Sequence, residues 1–186
     1  MKKAFVLLSI LSFILHEAQL AKVEELNQTY KQKSKEISEK YNKVYSVDRK
    51  KEEVKIIMDR LEGYELAITE IQKAEKKVDV LRYQNQYTQP PEYEFGITSF
   101  RGLIGQYFNT DAVTLEGSVV RTMVRFLVDE HGNVSNITAI GDYREFNLLT
   151  TITFYEILNK GKWKPAEYNG IPVRSVLEVP ITMKFE

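Results

Sequence analysis

Two periodicities divide this chain. Across residues 22–82 apolar positions recur at alternating spacings of three and four, as a helix seam requires. Beyond residue 117 the repeat shortens to two, the mark of strands with one buried face. The helical seam opens on Val23, Leu26 and Tyr30 and is interrupted by Lys33, Lys40 and Lys51. It then runs unbroken from Val54 through Ile57, Leu61, Tyr64 and Ile68 to Ile71, and closes on Val78 and Arg82. The stretch has no proline and one glycine, Gly63. As a single unkinked helix it would extend about 90 Å. So thin a stripe buries little alone. It needs a partner helix, either a second copy in a coiled-coil dimer or the same chain folded back near residues 45–51. The bland alternative is a solvated spacer held by pairs such as Glu36–Lys40, each worth about 0.2–0.5 kcal/mol. Association is the favoured reading.

The C-terminal region resolves into elements. Residues 97–108 set Phe100, Leu103, Ile104 and Tyr107 at helical spacing, with Ser99 as the candidate cap. Residues 117–141 predict a hairpin. Its first strand places Val120, Val124, Phe126 and Val128 on one face. The other face mixes Val119, Met123 and Leu127 with Arg121 and Arg125, which suits a central strand. The turn falls in DEHGN, where Gly132 or Asn133 takes positive φ. A second helix follows, capped by Asn147 and stopped by Gly161, and Asn169–Gly170 is the strongest short turn signal in the chain. The order helix, strand, strand, helix, strand predicts an α+β fold, a two-layer αββαβ domain with a three-stranded antiparallel or mixed sheet. With the second and third strands flanking the first, the last strand lies at an edge.

That last strand, residues 173–185, buries Val173, Leu177, Val179, Ile181, Met183 and Phe185 on one parity, with Ser175 among them. Proline cannot donate to a ladder and belongs on edges, so Pro180 fixes an outward parity. The even set then offers outward N–H and C=O groups. Arg174, Val176, Glu178, Thr182 and Lys184 are the candidate residues for pairing with a guest strand. The competing view is an edge protected by Pro180, Glu178 and Lys184 against unwanted pairing.

Composition narrows the function classes. The charge balances at 26 basic and 26 acidic residues, so nothing draws the chain to nucleic acid. Cysteine is absent, which removes disulfides, thiolate metal sites and a cysteine nucleophile. Lys2 and Lys3, the apolar run 4–15 and small residues Ala18 and Ala21 form the layout of a secretory signal peptide. The competing layout is an uncleaved inner-membrane anchor. It would bury His16, Glu17 and Gln19 in lipid, and that cost favours cleavage. Pro90–Pro91 marks a boundary. The expected division is a signal peptide over 1–21, a charged helical region over 22–88, a linker over 89–98 and a folded domain over 99–186.

No catalytic constellation is expected, and no cofactor or metal. His131 sits at a hairpin tip with Asp129 and Glu130, a poor cage for an ion. No serine has a histidine in plausible reach, and no glycine loop cradles phosphate. Trp163 is read as core rather than as a binding platform.

The C-terminal half resembles a known family. Gly117, Val119, Val128, Asp129, Gly132 and Val134 in the hairpin, then Trp163-Lys164-Pro165-Ala166, Asn169-Gly170, Pro172-Val173 and Pro180-Ile181, resemble the C-terminal domain of TonB-type energy transducers, as found in Bacteroidetes. The resemblance covers about residues 99–185. It implies a periplasmic module whose last strand pairs with the TonB box, an extended segment of outer-membrane transporters, and so assists transport. The chain departs from the family in having a charged helix where a proline-rich spacer is usual, Tyr107–Phe108 where tyrosine–proline often closes the first helix, and no convincing anchor beyond the Ser12 and His16 spacing. The expected partner is therefore an outer-membrane transporter or another envelope protein, with a homo-oligomer through the helical region also open. The alternative function is a coiled-coil envelope scaffold with no direct role in energy transduction.

Overall fold

The computed structural model describes residues 2–42, 44–75, 86–110, 117 and 119–185, with side chains from His16 onward. The seam positions Val78 and Arg82, and the side chains of the apolar run 4–15, lie outside the described residues. The chain divides into two compact units, Met1–Ala74 and Glu75–Glu186.

In the first unit α1 (Lys2–Lys40) and α2 (Val47–Ala74) form an antiparallel hairpin. Their contacts run in opposite order along the two helices. Lys40 Nζ meets Glu52 Oε1 at 2.6 Å near the turn, and the Tyr41 hydroxyl donates to the same oxygen at 3.1 Å. Further along, the Arg60 guanidinium lies 3.7 Å from the Tyr30 ring centroid, and the Tyr64 hydroxyl donates to Asn27 Oδ1. The partner helix that the thin seam needs is thus supplied by the chain itself. Asn42, at φ 47°, ends the first helix in the left-handed region, and the Ser46 hydroxyl accepts the Arg49 N–H at 3.1 Å to cap the second. Leu61, Tyr64, Ile68 and Ile71 are buried as the seam predicts, whereas Val44, Val47 and Val54 are exposed. Val44 and Val47 lie where the chain reverses direction, whereas Val54 sits within α2 on a side turned away from α1. Arg60 and Asn27 are buried although neither is apolar. A guanidinium stacked on tyrosine in a desolvated setting gains about 2 kcal/mol, which offsets part of the cost of burying it. No helix among the described residues is long and apolar enough to cross a membrane.

The second unit is mixed α+β. Its elements are β1 (Glu92–Tyr93), α3 (Gly96–Tyr107), β2 (Val119–Val128), β3 (Val134–Ile140), α4 (Arg144–Ile157) with a 3-10 turn after it, β4 (Trp163–Lys164), β5 (Ala166–Tyr168), β6 (Ile171–Val173) and β7 (Ser175–Lys184). The main sheet has the order β3-β2-β7, antiparallel throughout, with β2 central as its two-faced pattern predicts. Phe126 of β2 meets Phe100 of α3 and Phe154 of α4, at ring-centroid distances of 6.3 and 4.7 Å. Trp163 and Tyr93 join this cluster, each within 5.4 Å of Phe100. A second aromatic group, Phe108, Phe146 and Phe185, closes the other end of the core. Inside α4 the hydroxyls of Thr150 and Thr151 donate to the Phe146 and Asn147 carbonyls, so a helix buried on several sides leaves these polar atoms satisfied.

Several details depart from the sequence expectations. The stretch expected as a linker, 89–98, is built into the sheet system. Tyr93 pairs with Trp163, Gln89 bridges Glu167, and α3 already begins at Gly96. Ser99 and Asn147 lie inside their helices. Phe95 and Tyr143 hold the cap positions without side-chain hydrogen bonds, and the Asn147 amide instead donates to the Gly141 carbonyl at 2.8 Å. The last strand is interrupted at Arg174: β6 folds back on β5 through Asn169 and Gly170, both at positive φ, before β7 begins. The β2–β3 ladder also carries a bulge, with Arg125 opposite Thr138 but Leu127 opposite Ser135. Asn136, at φ 55°, sits in the bulge, and its N–H donates to Glu75 Oε2 at 2.7 Å. Burial holds the Glu75 carboxyl above the ordinary range, against the opposing pull of that hydrogen bond and one from Tyr155.

Candidate functional site

β7 stands at the end of the sheet order, beside β2 and beside no other strand among the described residues. Its register pairs Met123 with Pro180, Arg125 with Glu178 and Arg121 with Thr182. The five candidate docking residues occupy different surroundings. Glu178, Thr182 and Lys184 are exposed along one parity of the strand, together with Pro180. Glu178 lies 3.4 Å from Arg125 Nε, a cross-strand ion pair with the arginine side chain 21% exposed and the carboxylate 52% exposed. Val176 shares their parity but is buried, because both faces of β7 are covered at its start. Arg174 lies outside the strand and is engaged elsewhere. Its Nε and Nη2 donate to the two carboxylate oxygens of Glu130 at 2.7 and 2.8 Å. That fork holds Glu130 at a pKa of about 2.

The β2–β3 turn is built by its own side chains. Asp129 Oδ1 accepts the N–H groups of His131 and Asn133, both at 2.8 Å, and Asp129 Oδ2 accepts the Asn133 side-chain amide. Asp129 is a turn-builder, and His131 projects from the tip into solvent. Gly132 takes φ 82°, and any β-carbon there would run into the Trp163 carbonyl oxygen. No group of three potential metal ligands occurs among the described residues.

A cleft of about 580 Å³ opens beside β7 at Leu177, Glu178 and Val179. Its walls come from three other segments: Gln89, Pro90, Pro91, Glu92 and Tyr93; Ile97 and Arg101 of α3; and Trp163, Lys164 and Pro165. Trp163 is 7% exposed and serves as core and wall at once. The wall is chiefly apolar and aromatic with a charged rim, the usual composition of a side-chain pocket. Within the rim Glu92 faces Lys164 across the β1–β4 ladder, Lys164 also lies 3.5 Å from Glu167, and Glu178 is paired with Arg125.

Sequence reasoning named β7 but not this cleft. Pro91, Tyr93, Ile97 and Arg101 fell in an expected linker or on a helix face read only for its apolar positions. The one available signal was the pairing of two prolines with Tyr93 and Phe95 in TQPPEYEF, too rigid and too aromatic for a free linker. No protein-family model matches the chain, and no curated protein or solved structure matches it.

Proposed function

We propose that the C-terminal unit is a periplasmic, TonB C-terminal-like binding module, a two-layer αββαβ domain that receives an extended peptide of an outer-membrane transporter along β7 and assists transport. The observation that carries this is the terminal place of β7 in the sheet, with a side-chain cleft opening beside its middle residues. Strand addition uses these two parts. Main-chain hydrogen bonds along an edge supply affinity, and pockets for alternate side chains supply selectivity.

Pro180 sets the register of such pairing. A proline fits a ladder pair that exchanges no hydrogen bond, so the Met123–Pro180 pair belongs to that class. Alternate residues of an antiparallel strand direct both backbone groups to one side, so Glu178 and Thr182 turn theirs away from β2. A guest strand meets donors at 178 and 182 and a gap between them. The segment from 178 to 182 is therefore the docking core, rather than the longer even set that includes Arg174 and Val176.

Because the chain has no cysteine, a single introduced thiol is unique. Thr182→Cys, oxidised with extended peptides from transporter N-termini that carry a cysteine walked along their length, gives one dominant disulfide product. Equal trapping at every peptide position, or none, rules the docking out.

A further inference from the structure

Of the two acids that line the cleft, one has an ion-pair partner and the other a basic residue opposite it in the ladder. Glu178 has Arg125 at 3.4 Å, and Glu92 stands opposite Lys164, which itself leans on Glu167. Arg101 differs. It is exposed on α3, lines the cleft together with Ile97, and forms no ion pair or hydrogen bond among the described residues. Among the described residues the cleft thus presents Arg101 as a cation without an acidic partner beside an apolar wall of Pro91, Tyr93 and Trp163.

Resting on the docking proposed above, we infer that the guest strand carries an acidic side chain, Asp or Glu, seated against Arg101, and that Arg101 is the residue selecting it. A strand laid along Glu178 to Thr182 sends alternate side chains toward the face that Leu177 and Val179 occupy, and that face opens into the cleft. A carboxylate arriving there meets a planar guanidinium able to accept it in a two-pronged geometry. A lysine arriving there meets the like charge of Arg101, and of the two acids lining the cleft Glu178 is already paired with Arg125 while Glu92 stands opposite Lys164 in the β1–β4 register. The apolar wall favours a hydrophobic residue two positions away on the same face of the guest.

The test uses the full chain, immobilised and panned against a displayed library of random heptapeptides, beside Arg101→Gln and Arg101→Glu. Arg101 is exposed, so both variants fold, which far-ultraviolet circular dichroism checks. The wild type should enrich Asp or Glu at one position about fivefold over neutral residues, the upper end for a partly exposed ion pair. Arg101→Gln should bring that ratio to about one, and Arg101→Glu should invert it toward Lys and Arg. Peptides captured with no acidic preference, or with one that Arg101→Glu leaves unchanged, overturn the role of Arg101 and leave the docking intact. A wild-type chain that captures no peptide overturns the docking itself. If it then sediments as a dimer, the edge belongs to a second copy.

Discussion

Three glycines in the C-terminal unit face different obstacles to a methyl group, and the differences set an order of stability. Gly132 combines φ 82° with the Trp163 carbonyl oxygen in the space a β-carbon would need. The left-handed region costs a side chain about 1–2 kcal/mol, and moving a packed backbone carbonyl adds an overpacking term of about 1–3 kcal/mol. Gly132→Ala should therefore destabilise by about 3 kcal/mol. Gly170 has φ 79° with nothing within 4 Å, so Gly170→Ala bears only the backbone term, about 1 kcal/mol. Gly105 lies inside α3, again with nothing within 4 Å, and Gly105→Ala should gain up to about 1 kcal/mol by helix propensity. For a unit of this size each kcal/mol moves the melting temperature by about 4–8 °C. The melts should then fall near 15 °C and 5 °C below wild type for Gly132→Ala and Gly170→Ala, and slightly above it for Gly105→Ala. Trp163 is the one tryptophan of the chain and is buried, so its emission follows this unit. A Gly132→Ala protein that melts within about 2 °C of wild type, or above Gly170→Ala, refutes the close approach of the turn to β4.

Two further substitutions probe other contacts. Glu130 has a folded pKa of about 2, below its ordinary value of 4.5, because Arg174 grips it. The stabilisation is therefore complete above about 4.5 and is lost as pH falls toward 2, so Glu130→Gln should flatten the acid limb of a melting-temperature profile in that window. Both side chains are about a third exposed, at 33% and 36%, so added salt should shrink the difference, and parallel profiles would show that the pair contributes nothing. In the helical hairpin, Tyr64→Phe leaves the buried Asn27 side chain without its donor and should cost about 1–3 kcal/mol in melts followed at 222 nm, whereas an unchanged melt removes this bond from the reasons the hairpin holds its register.

What the sequence disclosed and what it hid follow from the range over which each signal acts. The Asn169–Gly170 turn and the Asp129 turn were legible because their chemistry is local: positive φ and a carboxylate within reach of N–H groups two and four residues on. The order of the main sheet was legible from one long strand with two partly apolar faces. By contrast β1 has two residues, too few for a period to show, so its segment passed for a linker. The caps were misplaced because both helices start without side-chain capping, and the nearest Ser and Asn therefore marked no boundary. Arg60 and Asn27 escaped notice because a hydrophobic period counts only apolar residues, while their burial depends on Tyr30 and Tyr64 lying opposite after the fold-back. The cleft draws on four separate segments and has no local signature at all.

Pro180 also bears on how an edge strand can be receptive without being indiscriminate. If two copies of this chain paired β7 with β7 about that position, each strand would lack a donor at the same place, and two carbonyls would face each other's gaps. A foreign strand without proline meets one gap only. The difference is about one hydrogen bond, near 1 kcal/mol or about fivefold in equilibrium. That margin discourages self-pairing at ordinary concentrations but cannot choose among foreign strands, since every extended peptide offers the same backbone. Choice must come from side chains, and along this edge the cleft at Leu177, Glu178 and Val179 lies where alternate guest side chains enter. On this view the edge sets how tightly any strand is held and Arg101 sets which one. Pro180→Ala should then strengthen peptide binding across all sequences while leaving the acidic preference unchanged.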